Sequence, residues 1–348
     1  MTEAPHPPAH HDKKIAADTI KIVIPLLLTV ALMAWLFHKV DFNNVIAIIR
    51  QGVDYRFILL MMVLIVLSHM IRGIRWGIQL RAAGIARVPV MAESVSIFGA
   101  YALNLLFPYL GEAWRCVYIQ RRQKCKLSTV IGTDLGDRAS DAAVIAILIL
   151  LTMAVAGKAL EQFIHKYPAG QILDKLIDNG GLWMSLLICL VIAVAVCIIF
   201  RHTTPVKNML TSLMRTWRGF AVLFHMKHTG MYIFLTFGIW ICYFLETYVC
   251  FFAFPFTRHL ITDTGTFWGL IPGLVVFVFG SCSMGVPSNG GLGPWNIAVM
   301  FALSLYGISD SEGTAFSLLC WSFQAITQII CGIFSIGYIM WDRHRLNL

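Results

Sequence analysis

Long apolar blocks separated by short basic segments dominate the chain. A helix needs ~20 apolar residues to cross a hydrocarbon core. Six blocks meet that length, at residues 20–37, 57–76, 130–156, 182–200, 231–255 and 313–341. The fourth and the last carry no charge, and the fifth carries one acid, Glu246. The first has no small-residue cleavage site downstream and so is not a signal peptide. Residues 1–19 and 343–348 read as short tails flanking one membrane domain over 20–342.

Two further apolar blocks, 94–111 and 264–309, are placed by loop charge. Segment 76–87 carries Arg81 and Arg87 without an acid. Segment 112–126 carries Arg115, Arg121, Arg122, Lys124 and Lys126 against Glu112. Segment 201–228 carries Arg201, Lys207, Arg215, Arg218 and Lys227 without an acid. The positive-inside rule puts all three in the cytoplasm, and the balanced 157–181 outside. Block 94–111 then has both ends inside and is too short to cross twice. It is expected to be re-entrant, with a break near Pro108.

Block 264–309 starts and ends outside and carries no charge. Its second limb, 295–306, spans only ~18 Å as a helix against a ~30 Å core. A second hairpin, entering from outside, is expected; two full crossings, giving eight helical spans, are the alternative. The expected fold is an all-α integral membrane protein. It has six full spans, two re-entrant hairpins of opposite entry and both termini cytoplasmic. Opposite entry suggests an inverted repeat, although no internal sequence repeat supports it. Within 201–228, Leu210, Leu213, Met214, Trp217, Phe220 and Phe224 recur at helical spacing opposite basic residues, as in a helix lying in the membrane interface.

Composition confirms the class. Hydrophobic residues make up 58%, charged residues 13%, and mean hydropathy is +0.74. No segment has the makeup of a soluble catalytic domain. The net charge of +9 lies in loops, where it sets topology rather than binding nucleic acid. The nine cysteines form no Cys-x-x-Cys pair and read as apolar filler.

Three polar groups carry candidate chemistry. Asp134, Asp137, Arg138 and Asp141 share one arc of a helix at the start of the third span. Such a face is a headgroup-binding lining or a structural ion cluster paired with Arg72 and Arg75. Asn104, Pro108, Gly111, Glu112 and Arg115 form the second group. Arg115 suits a lipid phosphate, or an intrahelical pair with Glu112. The third is Pro287–Asn296, with three glycines between two prolines and with Asn289 and Asn296. It reads as a hairpin tip, or as a tight cytoplasmic turn. Glu246 is a proton or headgroup site, or a structural partner for an arginine or hydroxyl. Gln324 and Gln328 suggest interhelical hydrogen bonds, and His69 a packed core histidine. No Ser/His/Asp set, zinc-protease motif or nucleotide loop is present.

The order of these groups resembles the transmembrane region of lysylphosphatidylglycerol synthases, a flippase-like domain that also occurs alone. Asn104…Pro108…Gly111-Glu112…Arg115 is similar to the family's N-x-x-x-P-x-x-x-G-E-x-x-R. Asp137-Arg138-Ala-Ser-Asp141 resembles its E-R-x-x-D, and Pro287…Gly290-Gly291-Leu292-Gly293 its P-x-x-G-G-x-G. Arg75-Trp76 resembles the pair closing its second span. The Pro108–Gly111 gap is one residue shorter, Asp137 stands for a glutamate, and Asn296 for an acid. The chain ends at Leu348, without the family's lysine-transferring cytosolic domain, so the stand-alone form is expected.

The resemblance implies a lipid translocase of the bacterial cytoplasmic membrane rather than an enzyme, without a cofactor or metal. Its substrate would be a phospholipid or polyprenyl-linked lipid. The substrate-binding set would join Arg72, Arg75, Asn104, Glu112, Arg115 and Arg138 with Asp134, Asp137, Asp141, Glu246, Asn289 and Asn296. Two rivals stand beside this. One is an enzyme acting on a lipid phosphate through metal bound by the aspartates. The other is an accessory subunit that binds lipid for a glycosyltransferase partner. A homodimer is also compatible.

Overall fold

A computed structural model describes residues 42–50, 52–157 and 204–346. The expected spans at 20–37 and 182–200, the tail 1–19 and nearly all of segment 157–181 lie outside the described residues. All regular structure among the described residues is helical.

Helix α1 is a short element, Phe42–Arg50. Helix α2, Tyr55–Ala82, starts at Asp54, whose carboxylate accepts the Arg56 amide at 3.1 Å. It runs past the expected end at residue 76 because Gln79 and Arg81 find partners on neighbouring helices. The first hairpin follows as α3, Val90–Leu106, and α4, Leu110–Gln123. A Cβ at Gly111 would run into the Ala100 backbone, so glycine sets how closely the two limbs approach. Helix α5, Leu127–Val155, carries the acidic face. Helix α6, Thr204–Ala221, packs on α5, with Gly132 against Thr216 and Gly219. Leu213, Met214, Trp217 and Phe224 stay exposed along it and the short turn after it.

Helix α7, Thr229–Cys250, lies antiparallel on α2 and makes a ladder of polar contacts with it. Gln79 donates to the Tyr232 hydroxyl at 2.8 Å, Arg75 to Thr236 at 3.3 Å, Arg72 to Tyr243 at 3.1 Å, and Ser68 to Glu246 at 2.9 Å. The helix ends five residues before the expected 255. Pro255 cannot continue it, and the Thr257 hydroxyl lies 2.6 Å from the Phe251 carbonyl. After the short α8, Arg258–Thr262, come α9, Leu270–Ser283, and α10, Pro294–Ser304. Helix α11 is the longest, Asp310–Leu346.

The two hairpins enter from opposite ends. Helix α3 starts beside the last turns of α2, where Glu93 pairs with Arg81 at 3.1 Å. It climbs to the middle of α2, where Tyr101 stacks on His69 at 4.0 Å. Helix α9 starts near the end of α7, with Gly273 against Tyr248, and reaches Phe277 beside Trp240. Helix α11 lies along both hairpins. Its first turns pack on α10, with Gly313 against Met300. Its later turns pack on α3, where Ser335 donates to the Val95 carbonyl at 2.9 Å.

The two largest apolar clusters among the described residues lie one at each end. Ile58, Phe251, Phe254, Val276, Val299 and Phe316 fill the one around α9 and α10. Trp76, Leu80, Val95, Ile119 and Val130 fill the one around α3 and α4.

Four described helices, Tyr55–Ala82, Leu127–Val155, Thr229–Cys250 and Asp310–Asp342, are long and apolar enough to cross a membrane. The hairpin helices have 17, 14, 14 and 11 residues. At 1.5 Å per residue each is shorter than a ~30 Å core.

Candidate functional site

Where α2, α4 and α5 meet, three arginines face three aspartates. Arg75 Nη2 lies 2.6 Å from Asp137 and 2.8 Å from Asp141. Arg72 pairs with Asp141 and lies 3.3 Å from Asp137. Arg115 pairs with Asp134, lies 3.7 Å from Asp137 and covers the Trp76 ring at 4.5 Å. All six side chains are buried. Charge taken out of water needs such reciprocal pairing to persist. The local i, i+4 order of Asp134 and Arg138 gives way to these interhelical partners. Likewise Glu112 and Arg115, one turn apart on α4, do not pair with each other.

One turn from this cluster the same chemistry stands open. Arg138 pairs with Glu112, and the arginine side chain is 41% exposed. Asn104 holds Glu112 from behind, donating to its two oxygens at 3.2 and 3.1 Å. The Asn104 side-chain oxygen accepts the Gly111 amide at 2.8 Å and so ties the limbs of the first hairpin.

The tips of the two hairpins touch here. The Gly290 amide donates to the Asn104 carbonyl at 3.0 Å, and the Asn289 side chain to the Leu106 carbonyl at 3.0 Å. Trp321 of α11 donates to the Gly290 carbonyl at 2.8 Å. Gly290 has φ +57, and a Cβ there would meet Leu105, so this contact needs glycine.

A cavity of about 330 Å³ opens between the tips, α2, α7 and α11. Arg72, Asn104, Glu112, Arg138, Asp141 and Glu246 line it, six of the twelve residues expected to bind substrate. Arg75, Arg115, Asp134 and Asp137 stand behind that wall as its ionic support. Asn289 fastens one tip to the other. Asn296 is buried, and its side-chain oxygen accepts the Gly293 amide at 3.0 Å at the start of α10. Glu246 accepts from a hydroxyl rather than an arginine.

Sequence reasoning missed Tyr101, Tyr243 and Ser68. The Tyr101 and Tyr243 hydroxyls, 3.2 Å apart, join the polar wall, and the buried Ser68 backs Glu246. Gln324 and Gln328 line the cavity, as does His69, buried and stacked on Tyr101. Among the described residues no three His, Cys, Asp or Glu side chains are grouped to hold a metal ion.

Two broken helical hairpins meeting over a polar cavity, within long apolar helices, define a helical membrane protein. The family model of the lysylphosphatidylglycerol synthase TM region matches residues 22–332, and the chain belongs to that family. It is thus a membrane protein of lipid metabolism or transport. No curated protein and no solved structure matches it.

Proposed function

We propose that the protein is a lipid translocase of the bacterial cytoplasmic membrane, with six full spans and both termini in the cytoplasm. It moves the polar headgroup of a phospholipid or polyprenyl-linked lipid while the acyl chains stay in the bilayer. The observation that carries this reading is the cavity where the two hairpin tips meet. Its volume, about 330 Å³, lies in the ~300–1,000 Å³ range of small-molecule sites. Broken helices meeting near mid-bundle are where transporters hold their cargo.

Arg138 gives the site its chemistry. It is half-exposed and held by one carboxylate, so a phosphate can take the place of Glu112 as a paired partner. Asn104 keeps the displaced Glu112 hydrogen-bonded, which limits the cost of the exchange. The rival lipid-phosphate enzyme needs Asp134, Asp137 and Asp141 free for metal. Their pairing with arginine favours the translocase.

The test is transbilayer movement of headgroup-labelled phosphatidylglycerol in liposomes, read with a membrane-impermeant quencher. Wild-type protein is expected to make inner-leaflet label accessible, and Arg138→Ala to slow this strongly. A folded wild type that moves no phosphatidylglycerol or related labelled lipid would overturn the reading. Movement only with a co-purified glycosyltransferase would favour the accessory-subunit alternative.

A further inference from the structure

We propose that Glu246 is a proton-carrying site of the cavity, and that its protonation is coupled to headgroup passage so that a proton gradient drives the lipid. The coupling rests on the translocase reading above; the proton site stands without it.

The cavity wall presents two arginines and three carboxylates. Asp141 is held by Arg72 and Arg75, and Glu112 by Arg138. Glu246 is the carboxylate left over: among the described residues no ion pair reaches it. It sits opposite Ser68, at the midpoint of the 28-residue α2, and shares the cavity wall with Asn104 and Gly290 of the hairpin tips.

The titratable and charged groups that share this wall are His69 and Arg72 from α2, Tyr101 from α3, Asp141 and Arg138 from α5, and Cys320 from α11. Glu112 from α4 and Tyr109 just before it complete them, with Tyr243 and Cys250 on the same helix as Glu246. Helix α9 contributes Phe277 and Ser281, which carry no charge.

Ser68 lets Glu246 hold either state in place. Its oxygen lies 2.9 Å from Glu246 Oε1 and 2.9 Å from the Ile65 carbonyl. One hydroxyl hydrogen can serve only one of those acceptors. When Glu246 is ionised, Ser68 donates to it. When Glu246 is protonated, its O–H donates to Ser68 Oγ and the serine hydrogen turns to the Ile65 carbonyl. Both states keep the Ser68–Glu246 hydrogen bond with no heavy atom displaced. His69 Nδ1, 3.3 Å from the same oxygen, extends the relay to a ring that faces the cavity.

Charge supplies the coupling. A phosphate on Arg138 adds an anion to a wall already one carboxylate in excess. A proton on Glu246 removes that excess, so the anionic headgroup and the proton favour each other's presence. The proton leaves to water when the headgroup does, and nothing else is consumed.

Two measurements test this. Infrared difference spectra between acid and alkaline pH would be taken on protein labelled with carbon-13 glutamate. A glutamic-acid carbonyl band that titrates in wild type and is missing from Glu246→Gln is expected. Liposomes with labelled phosphatidylglycerol would then carry a pH gradient of either sign. The wild-type rate is expected to change several-fold with the gradient, up to roughly tenfold per pH unit, which is the change in the protonated-to-ionised ratio. Glu246→Gln is expected to move lipid at one rate whatever the gradient.

Absence of the band overturns the proton site regardless of transport. A band without lipid movement by wild type overturns the translocase reading, and the coupling with it, while the proton site stands. A band with movement indifferent to the gradient overturns the coupling alone.

Discussion

Helix α5 carries two versions of the same contact, an arginine guanidinium against a carboxylate. The buried one joins Arg72, Arg75 and Arg115 to Asp134, Asp137 and Asp141. The open one joins Arg138 to Glu112. The chemistry is the same; the first set is closed by reciprocal pairing, with only Arg72 and Asp141 reaching the cavity wall, and the second lies half-exposed. A sealed charge has no alternative partner, so its pairing serves the fold. An open charge can exchange one anion for another, so its pairing can serve a ligand.

Mutations at the two sets should therefore fail in different ways. The largest effect is expected for Asp137→Ala, which takes away the carboxylate shared by all three arginines and leaves Arg72, Arg75 and Arg115 with two acids among them. Removing one partner of a buried pair costs about 3–5 kcal/mol, so thermal unfolding in detergent should show gross destabilisation or no recoverable protein. A stable Asp137→Ala protein would break the comparison at its buried end.

Arg138→Ala is expected to slow lipid movement ~10–100-fold, the weight of one hydrogen bond to a charged group. Its unfolding should stay within about 1 kcal/mol of wild type, as for an exposed pair. Loss of stability without a specific loss of transport would place Arg138 with the sealed set.

Gly290→Ala comes next, at about 1–2 kcal/mol for a left-handed alanine, before any clash with Leu105. Faster hydrogen exchange at the Gly290 and Gly111 amides would locate that loss at the tips. Asn289→Ala should be smallest, about 0.5–1.5 kcal/mol for one hydrogen bond, and would grade how much of the tip contact is side chain.

Much of the architecture follows from reading charge against length. Block 94–111 is too short to cross twice and the second limb of 264–309 too short to cross once. Helices α9 and α10 fall inside the latter, whereas α4, Leu110–Gln123, takes up most of the 112–126 segment, which its basic charge marks as a loop. The arc of Asp134, Asp137, Arg138 and Asp141 was likewise legible from helical spacing. Its division into three aspartates paired with buried arginines and one half-exposed arginine was not, because that depends on where α2 and α4 dock.

Ser68, Tyr101 and Tyr243 gave no signal for a related reason. A hydroxyl on an apolar helix is unremarkable until a second helix sets an acid or arginine opposite it. Asn296 shows the reverse case: a polar residue beside a glycine turn suggested a ligand contact, and it caps the helix that begins there. Helix α1, nine residues with an arginine at its end, is too short and mixed to stand out against the long blocks.

Helix α11 has 37 residues, about 55 Å at 1.5 Å per residue. It bears on the second hairpin at one end and the first at the other, and Trp321 pins it to Gly290 at the tip of the second hairpin, in the stretch between. A stiff rod held this way behaves as a lever with a fulcrum. Tilting it outward from one hairpin presses it toward the other, so the two hairpins cannot both come away from it. In the translocase proposed above, that one helix's rigidity would be what keeps the two sides from opening at once.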